Sequence, residues 1–293
     1  METPYYIHRL DPVLLDIAGP LAIRWYGLAY LAGFLVVYLV LQRWGRRGEF
    51  RVEGPALQSL LMWLVAGVMR GGRIGYMLLY DFAHFAQAPW ILFQVWKGGM
   101  ASHGGMVGLA VAMALFARRQ KVPLLHLTDA ISCVAPFGLF FGRVANFING
   151  ELWGRASTVP WAVIFPQSAP HEGGLDASHP HFESWVAHYL EQGLLQPRHP
   201  SQLYQALLEG LLLALALLAL RRTAWARTPG RLSGAFLGLY GLARIGVEAF
   251  REPEIVHFGW MTQGQLLSLA ILLPAAAWLL LRSRRDRGDK YIE

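Results

Sequence analysis

Polar and charged side chains are concentrated in one stretch, Phe141 to Arg155, at the edge of an apolar segment. The stretch reads FGRVANFINGELWGR and contains two arginines, two asparagines, a glutamate and a tryptophan. Ionisable side chains are costly within a membrane-crossing segment, so their presence there indicates a functional site. Arg143 and Asn146 are three residues apart, and a helix that continues through them places both on one face with Gly142 and Gly150. Two strong donors beside open space predict an anion-binding site.

A histidine at the beginning of another apolar segment could transfer protons. The sequence there is KGGMASHGGMVG, and His103 is followed by Gly104 and Gly105, which leave its surroundings uncrowded. Histidine titrates near neutral pH and can act as a general base or acid. A histidine that is only hydrogen-bonded at an interface remains the alternative. No second histidine or carboxylate stands at metal-ligand spacing, so we expect neither a metal site nor a cofactor.

A second set of charged residues lies in the segment YGLARIGVEAFREPE. Arg244, Glu248 and Arg251 follow one another at intervals of four and three residues, which places them in one stripe along a helix. A structural ion pair would account for this spacing. Their depth in an apolar segment favours instead a glutamate that orients Arg244 toward a ligand.

Arg73 lies in MRGGRIGY, among Gly71, Gly72 and Gly75. Small residues at this spacing let two membrane helices approach closely. The arginine is either a structural residue bonded to helix ends or carbonyl groups, or a ligand for a lipid headgroup. The sequence leaves both interpretations open.

Two further segments offer candidates for substrate contacts. In RWYGLAY, an interfacial aromatic belt with a snorkelling Arg24 is the alternative to a binding role for Tyr26 and Tyr30. In HPSQLYQALLEG, the side chains of Ser201 and Gln202 can satisfy open amides at the start of a helix. A helix start directed at the site would also favour an anion.

The composition indicates what kind of elements must position these residues. Of 293 residues, 55% are hydrophobic and 15% are charged, and the mean hydropathy is +0.34. These values are typical of an integral membrane protein rather than a soluble domain. The net charge of +7 is distributed in short basic clusters between apolar runs, which argues against a nucleic-acid partner. A single cysteine, Cys133, excludes an intramolecular disulfide framework.

Seven apolar segments are long enough to cross a bilayer as helices. They cover residues 20–42, 56–80, 98–117, 125–142, 203–220, 232–250 and 264–281. Sixteen lysines and arginines fall in one set of alternate connections and five in the other, so the positive-inside rule places the N-terminus outside and the C-terminus in the cytoplasm. We therefore predict an all-α integral membrane protein with a single membrane domain over residues 1–293. Residues 150–200, which include the strand-like PWAVIFP, are expected to form a small extracytoplasmic head between spans 4 and 5.

Taken together, these segments resemble the prolipoprotein diacylglyceryl transferase family over nearly the whole chain. The matching blocks are RWYGLAY, GGRIGY, HGGMVG, GRVANFINGELWGR, HPSQLY and YGLARIGVEAFREPE, of which the fourth is highly specific. The resemblance implies an enzyme of the bacterial cytoplasmic (inner) membrane with its active site toward the periplasm. Its partners would be phosphatidylglycerol, membrane lipid and the signal peptide of a preprolipoprotein. The diacylglyceryl group would pass to the thiol of the lipobox cysteine, forming a thioether and releasing glycerol 1-phosphate.

The resemblance and the residue chemistry together give the predicted site. Catalysis is assigned to His103, Arg143 and Arg244, with the histidine as base for the thiol and the arginines as a clamp for the leaving phosphate. Substrate binding is assigned to Tyr26, Arg73, Gly104, Asn146, Glu151, Gly154, Gln202 and Glu248. A tyrosine, Glu151 or the substrate's own phosphate remain alternatives for the base.

One position departs from the family pattern, and one competing function stays open. Family members often read HPSQLYE where this chain has Gln205, although Glu209 follows one turn later, and we expect this difference to affect helix packing only. The competing function is a transporter or flippase for an anionic lipid or solute, because a helix bundle with intramembrane arginines could move a substrate without transforming it. Transporters often contain paired half-repeats, and we find no convincing internal repeat.

Overall fold

The protein is mostly helical in its computed structural model, which describes residues 4–18, 21–94, 98–170, 177, 180–253 and 255–288. In that part of the chain, a helix occupies each of the seven predicted apolar segments. The first six helices are α1 (Trp25–Arg46), α2 (Gly54–Leu79), the short α3 (Phe82–Gln87), α4 (Ser102–Gln120), α5 (Leu124–Ile148) and the short α6 (Phe182–Glu191). The others are α7 (Ser201–Gln205), α8 (Leu213–Arg221), α9 (Arg231–Glu248), α10 (Gln263–Leu267) and α11 (Leu273–Gly288).

Two of the long helices contain a wider, π-helical segment. Ala206–Leu212 joins α7 to α8 in one helix from Ser201 to Arg221, and Ser268–Leu272 joins α10 to α11. Such segments are uncommon and are often associated with functional sites, because they turn side chains away from their α-helical direction.

Four helices of the described chain are long and apolar enough to cross a membrane. They are Trp25–Arg46, Leu124–Ile148, Ser201–Arg221 and Gln263–Arg282. Each contains at least the ~20 residues that a helix needs to cross the hydrocarbon region. The prediction of a helical membrane protein is therefore confirmed.

Several helix boundaries differ from the predicted ones by a few residues, and two of these differences concern the candidate site. The first span was expected from residue 20, but Leu21–Arg24 (β3) pairs antiparallel with Val13–Ala18 (β2), and α1 begins only after this pairing ends. The fourth span was expected to end at residue 142, but α5 continues to Ile148. This longer helix includes Arg143 and Asn146, as the predicted anion site requires.

The chain divides into two compact units, residues 1–37 with 132–293 and residues 38–131. In the first unit, the connection between α5 and α7 has a small core of its own. Strand β4 (Val163–Ile164) pairs parallel with β1 (Tyr6–Ile7) and antiparallel with β5 (Pro197–Arg198). Five buried side chains form the core: Ile164, Ala169, Phe182, Val186 and Leu195. The strand expected in PWAVIFP is present, and residues 171–176 and 178–179 of the predicted head lie outside the described residues.

In the second unit, α2 and α4 are in backbone contact through glycines. A Cβ atom at Gly67 would lie 2.6 Å from the carbonyl oxygen of Gly108, and one at Gly75 would lie 2.7 Å from Cα of Gly104. No larger residue fits at these positions unless the helices separate. The close approach predicted from the small residues around Arg73 is confirmed.

Candidate active site

The end of α5 carries a chain of polar contacts. Arg143 Nη1 donates to Asn146 Oδ1 at 3.4 Å, and Asn146 Nδ2 donates to Glu151 Oε1 at 2.7 Å. Asn149 Nδ2 donates to the same oxygen of Glu151 at 3.2 Å. Between helix and glutamate, Gly150 has a φ of +65°, and this left-handed residue turns the chain back beside the helix end. The structure thus brings together Arg143, Asn146 and Glu151 as predicted.

The turn that follows is held by the beginning of α7. Gln202 is fully buried, and its Nε2 donates to the carbonyl oxygen of Glu151 at 2.6 Å. Ser201 Oγ donates to the carbonyl oxygen of Leu152 at 3.0 Å, and Leu152 itself has a φ of +56°. Side chains in α7 therefore stabilise a backbone conformation that a branched residue rarely adopts. This fixes the direction from which Glu151 approaches Asn146.

Gly154 provides close backbone packing. Its N–H donates to the carbonyl oxygen of His199 at 2.9 Å, and it forms an antiparallel bridge with Arg251. A Cβ atom at this position would lie 2.6 Å from the carbonyl oxygen of His199. Because the neighbours are backbone atoms, a side chain could enter only by moving the strands apart. Gly154 thus acts through the geometry of the site.

Two arginines converge on one carboxylate at the centre of the cluster. Glu209 Oε1 lies 3.5 Å from Arg244 Nη1, and Glu209 Oε2 lies 4.0 Å from Arg143 Nη2. The glutamate is fully buried, whereas the side chains of Arg143 and Arg244 are 19% and 13% exposed. Both arginine side chains therefore remain partly accessible although they contact a fully buried carboxylate. A second anion could bind to them.

The predicted contact of Arg244 with Glu248 is present at the end of α9, but the helix ends at Glu248 and Arg251 lies beyond it, so the three residues do not form one helical stripe. Arg244 Nη2 lies 2.7 Å from Glu248 Oε1, and Arg251 Nη1 lies 3.5 Å from the same oxygen. Gly264, just inside α10, leaves room for this contact, since a Cβ atom there would lie 2.5 Å from Glu248 Oε1. Charged partners and hydrogen bonds offset the cost of burying a carboxylate. Glu248 thus holds Arg244 in place, as expected from the sequence.

Tyr26 is the second residue of α1. Its hydroxyl group lies 3.2 Å from that of Tyr30, and the two rings are in edge contact with centroids 4.9 Å apart. Glu151 and Arg143 are within electrostatic range of the Tyr26 hydroxyl group. The tyrosine therefore lies beside the polar chain at the end of α5.

Three predicted site residues belong to the unit formed by residues 38–131. His103 is the second residue of α4, is partly buried, and lines a cavity of about 530 Å³ with Arg70. Gly104 packs against the backbone of Gly75, so its missing side chain permits the contact between α2 and α4.

Arg73 makes extensive contacts with backbone oxygens. Its buried guanidinium group donates to five carbonyl groups, those of Ile91, Leu92, Gln94, Gly98 and Gly99. All three guanidinium nitrogens take part. These contacts favour the structural alternative for Arg73, in which it fixes the segment leading into α4, over a role as ligand for a lipid headgroup.

Glu209 was not assigned to the site from the sequence. It was noted only as following Gln205 by one turn, yet it is the only charged residue in the predicted span 203–220. The cost of a lone charge in an apolar span was the signal that could have identified it. Its position in the π-helical segment Ala206–Leu212 has no recognisable sequence signature.

Comparison with known proteins agrees with this architecture. The sequence model of the family described as prolipoprotein diacylglyceryl transferase matches residues 12–281. The chain is 43% identical over 289 residues to the phosphatidylglycerol–prolipoprotein diacylglyceryl transferase of Allorhizobium ampelinum, covering 94% of this chain and 91% of that protein. The protein of the same name from Nitratidesulfovibrio vulgaris is 40% identical over 286 residues, covering 96% and 97%. This chain therefore belongs to the prolipoprotein diacylglyceryl transferase family.

Proposed function

We propose that this protein transfers the diacylglyceryl group of phosphatidylglycerol to the thiol of the lipobox cysteine of a preprolipoprotein. The observation that carries the proposal is the convergence of Arg143 and Arg244 on a buried carboxylate, with both arginine side chains still partly accessible. The relatives named phosphatidylglycerol–prolipoprotein diacylglyceryl transferase match nearly the full length of this chain. An arginine pair of this kind suits a substrate whose phosphate must be held and then released.

The reaction requires one bond to form and one to break. The cysteine sulfur attacks the glyceryl carbon next to the phosphate ester, and the C–O bond breaks with its electron pair remaining on the phosphate oxygen. The products are a thioether and glycerol 1-phosphate, whose phosphate has gained negative charge. Arg143 and Arg244 stabilise this charge, and fixed donors are most effective where charge develops in the transition state. Asn146 and Glu151 hold Arg143 in position.

The thiol must also lose its proton, because the thiolate is the nucleophile. We propose His103 as the acceptor, since a histidine titrates near neutral pH. A H103Q variant tests this assignment. Loss of a general base lowers the rate by about 10²- to 10⁴-fold. Transfer by H103Q at nearly the wild-type rate between about pH 6 and about pH 8 would assign the proton to another group.

The proposal includes a topology. Seven helices would cross the bacterial inner membrane, with the N-terminus and the head of residues 150–200 in the periplasm and the C-terminus in the cytoplasm. The distribution of sixteen basic residues against five supports this orientation. The site would then face the periplasm, where a cysteine emerges behind its signal peptide.

One assay tests the function as a whole. Purified protein in detergent is mixed with phosphatidylglycerol and a lipobox peptide, and the release of glycerol phosphate and the mass of the peptide are measured. We expect glycerol phosphate and a peptide heavier by one diacylglyceryl group. A peptide with serine in place of cysteine is the control and should give neither product. A protein that binds phosphatidylglycerol but yields no product would favour the transporter alternative.

A further inference from the structure

We infer that Glu209 is a positioning residue that holds the guanidinium groups of Arg143 and Arg244 together as one anion clamp. The inference rests on the proposed function, in which this clamp binds the phosphate of the lipid substrate. Two like charges repel each other in a region of low dielectric constant. A carboxylate between them allows both to remain directed at the same space.

Burial and distance support this role. Glu209 has no exposed side-chain area, so its charge is not solvated by water. Its Oε1 accepts from Gln205 Nε2 at 3.3 Å and lies 3.5 Å from Arg244 Nη1. Its Oε2 has no hydrogen-bond partner among the described residues, and Arg143 Nη2 is 4.0 Å away. The two oxygens thus face different arginines.

The helix that carries Glu209 is adapted to bring it to Arg143. Glu209 lies in the π-helical segment Ala206–Leu212, where the wider turn changes the direction of its side chain. The next residue, Gly210, packs directly on α5, and a Cβ atom there would lie 2.7 Å from Cα of Phe140. Phe140 precedes Arg143 by less than one helical turn. This contact fixes the distance between Glu209 and Arg143.

Gln205 supports the same arrangement. Its neutral amide donates to Glu209, so the carboxylate keeps its full charge for the two arginines. In the six-residue cluster of Arg143, Arg244, Arg251, Glu151, Glu209 and Glu248, the formal charges cancel. The carboxylates therefore already offset the repulsion between Arg143 and Arg244 before a phosphate binds. Binding of the phosphate would not require the two guanidinium groups to move closer together.

Two possible roles of Glu209, competing with the substrate or positioning the arginines, predict opposite changes in anion binding. If Glu209 merely competes with the substrate for the arginines, removing its negative charge should strengthen anion binding. If it positions them, removal should weaken binding, although a repulsive charge has been lost. The sign of the change therefore distinguishes the two.

The experiment measures the Kd of glycerol 1-phosphate by calorimetry on the purified full-length protein in detergent. We expect E209Q to bind about tenfold more weakly than the wild type, which is a loss of ~1.4 kcal/mol. E183Q serves as the control, because Glu183 forms an exposed ion pair with Arg9 and should bind like the wild type. Unchanged or stronger binding by folded E209Q would overturn the inference, as would a wild type that binds no glycerol 1-phosphate.

A second variant covers the case in which E209Q does not fold. E209D keeps the charge but withdraws it from arginines that are already 3.5 and 4.0 Å away. We expect E209D to unfold near the wild-type temperature and to bind glycerol 1-phosphate about threefold more weakly. Binding equal to or stronger than that of the wild type would overturn the inference. The turnover assay with phosphatidylglycerol and peptide is separate, so failure of the proposed function would appear in the wild type itself.

Discussion

At the scale of single residues, the site is a set of buried ions that compensate one another. Arg244 contacts two carboxylates, Glu209 and Glu248, and Arg143 is held by Asn146 and by the charge of Glu209. Breaking a buried ion pair on one side leaves an uncompensated charge and is strongly destabilising. Substitutions in this cluster must therefore be judged by binding and turnover together with stability.

The arginine clamp makes a direct prediction. R143A and R244A should each lower diacylglyceryl transfer by about 10²- to 10³-fold, because each removes a donor from the developing phosphate charge. Membrane expression should fall much less than turnover. R9A, which removes an exposed arginine of the same unit, should transfer at the wild-type rate. Turnover of R143A or R244A that resembles R9A would remove that arginine from the mechanism.

A histidine outside the membrane-spanning segments predicts a dependence of stability on pH. His8 is fully buried, and its ring contacts Phe147 and Phe165 while Gln167 approaches Nδ1 at 3.5 Å. None of these neighbours titrates, and burial lowers the pKa of His8 below its usual value of 6.5. As the pH falls below that value, the unfolded chain binds a proton that the folded chain does not. The free energy of unfolding therefore decreases by up to ~1.4 kcal/mol per pH unit, until the lowered pKa is reached.

Thermal unfolding in detergent measures this effect. The midpoint of the wild type should fall between about pH 7 and about pH 5, and H8F should show a smaller fall because phenylalanine takes up no proton. H84Q removes an exposed histidine instead, and because its pair with Asp81 is solvent-exposed and contributes little, this variant should keep nearly the wild-type dependence. Identical pH curves for wild type and H8F would show that His8 does not cause the dependence.

At the scale of elements, the site depends on how the helix from Ser201 to Arg221 packs against α5. Gly210 brings the two backbones into contact, and the π-helical segment around it presents Glu209 to Arg143. The beginning of the same helix holds the turn at Glu151 through Gln202. One helix thus sets the position of both ends of the polar chain.

A methyl group at Gly210 should disturb this arrangement. In G210A the new Cβ would lie 2.7 Å from Cα of Phe140, so the helices must separate. We expect a loss of about 1–3 kcal/mol in stability, as in other overpacked sites, and at least tenfold lower turnover, because Glu209 moves away from Arg143. G138A is the matched control in α5, since no atom lies within 4 Å of its Cβ position. If G210A and G138A behave alike, the contact between the helices does not determine the site.

The parts of the site that could be predicted were those encoded locally. The density of polar residues in FGRVANFINGELWGR identified Arg143, Asn146 and Glu151, and helical spacing predicted the contact of Arg244 with Glu248. Glu209 could not be placed in the same way, because its partner Arg244 is 35 residues away and only tertiary packing joins them. The partners of Arg73 are backbone carbonyl groups, which every residue type carries, so the sequence does not identify them. The strand at residues 6–7 is too short to show a periodic pattern.

At the scale of the whole molecule, the chain combines apolar helices with a polar connection that has its own core. Ile164, Phe182 and Val186 form the core of the connection that joins α5 to α7 along the chain. This core also contacts the N-terminal strand. Basic residues are concentrated in alternate connections. Both features are consistent with a protein that exposes different surfaces on the two sides of a membrane.

The proposed topology can be tested with reporter fusions in a bacterial host. A fluorescent protein that folds only in the cytoplasm should be fluorescent when fused after residue 293. Alkaline phosphatase, which is active only in the periplasm, should be active when inserted in the connection between α5 and α7. The fluorescent protein inserted in the α5–α7 connection should not be fluorescent, and alkaline phosphatase fused after residue 293 should be inactive. Fluorescence from the α5–α7 connection would reverse the orientation inferred from the basic residues.

The pairing of the N-terminal strand with the head has a consequence for biosynthesis. The Tyr5 hydroxyl group donates to the carbonyl oxygen of Thr158, 153 positions further along the chain, and Tyr6 pairs with Val163. At about 5–20 residues per second, a ribosome needs about 8–30 s to synthesise the chain between these partners. During this time the first residues have no strand to pair with, while α1, α2, α4 and α5 are already available for insertion. This pairing therefore forms only after α1 to α5 have been made, and a nascent chain arrested before Val163 should leave its N-terminus open to protease.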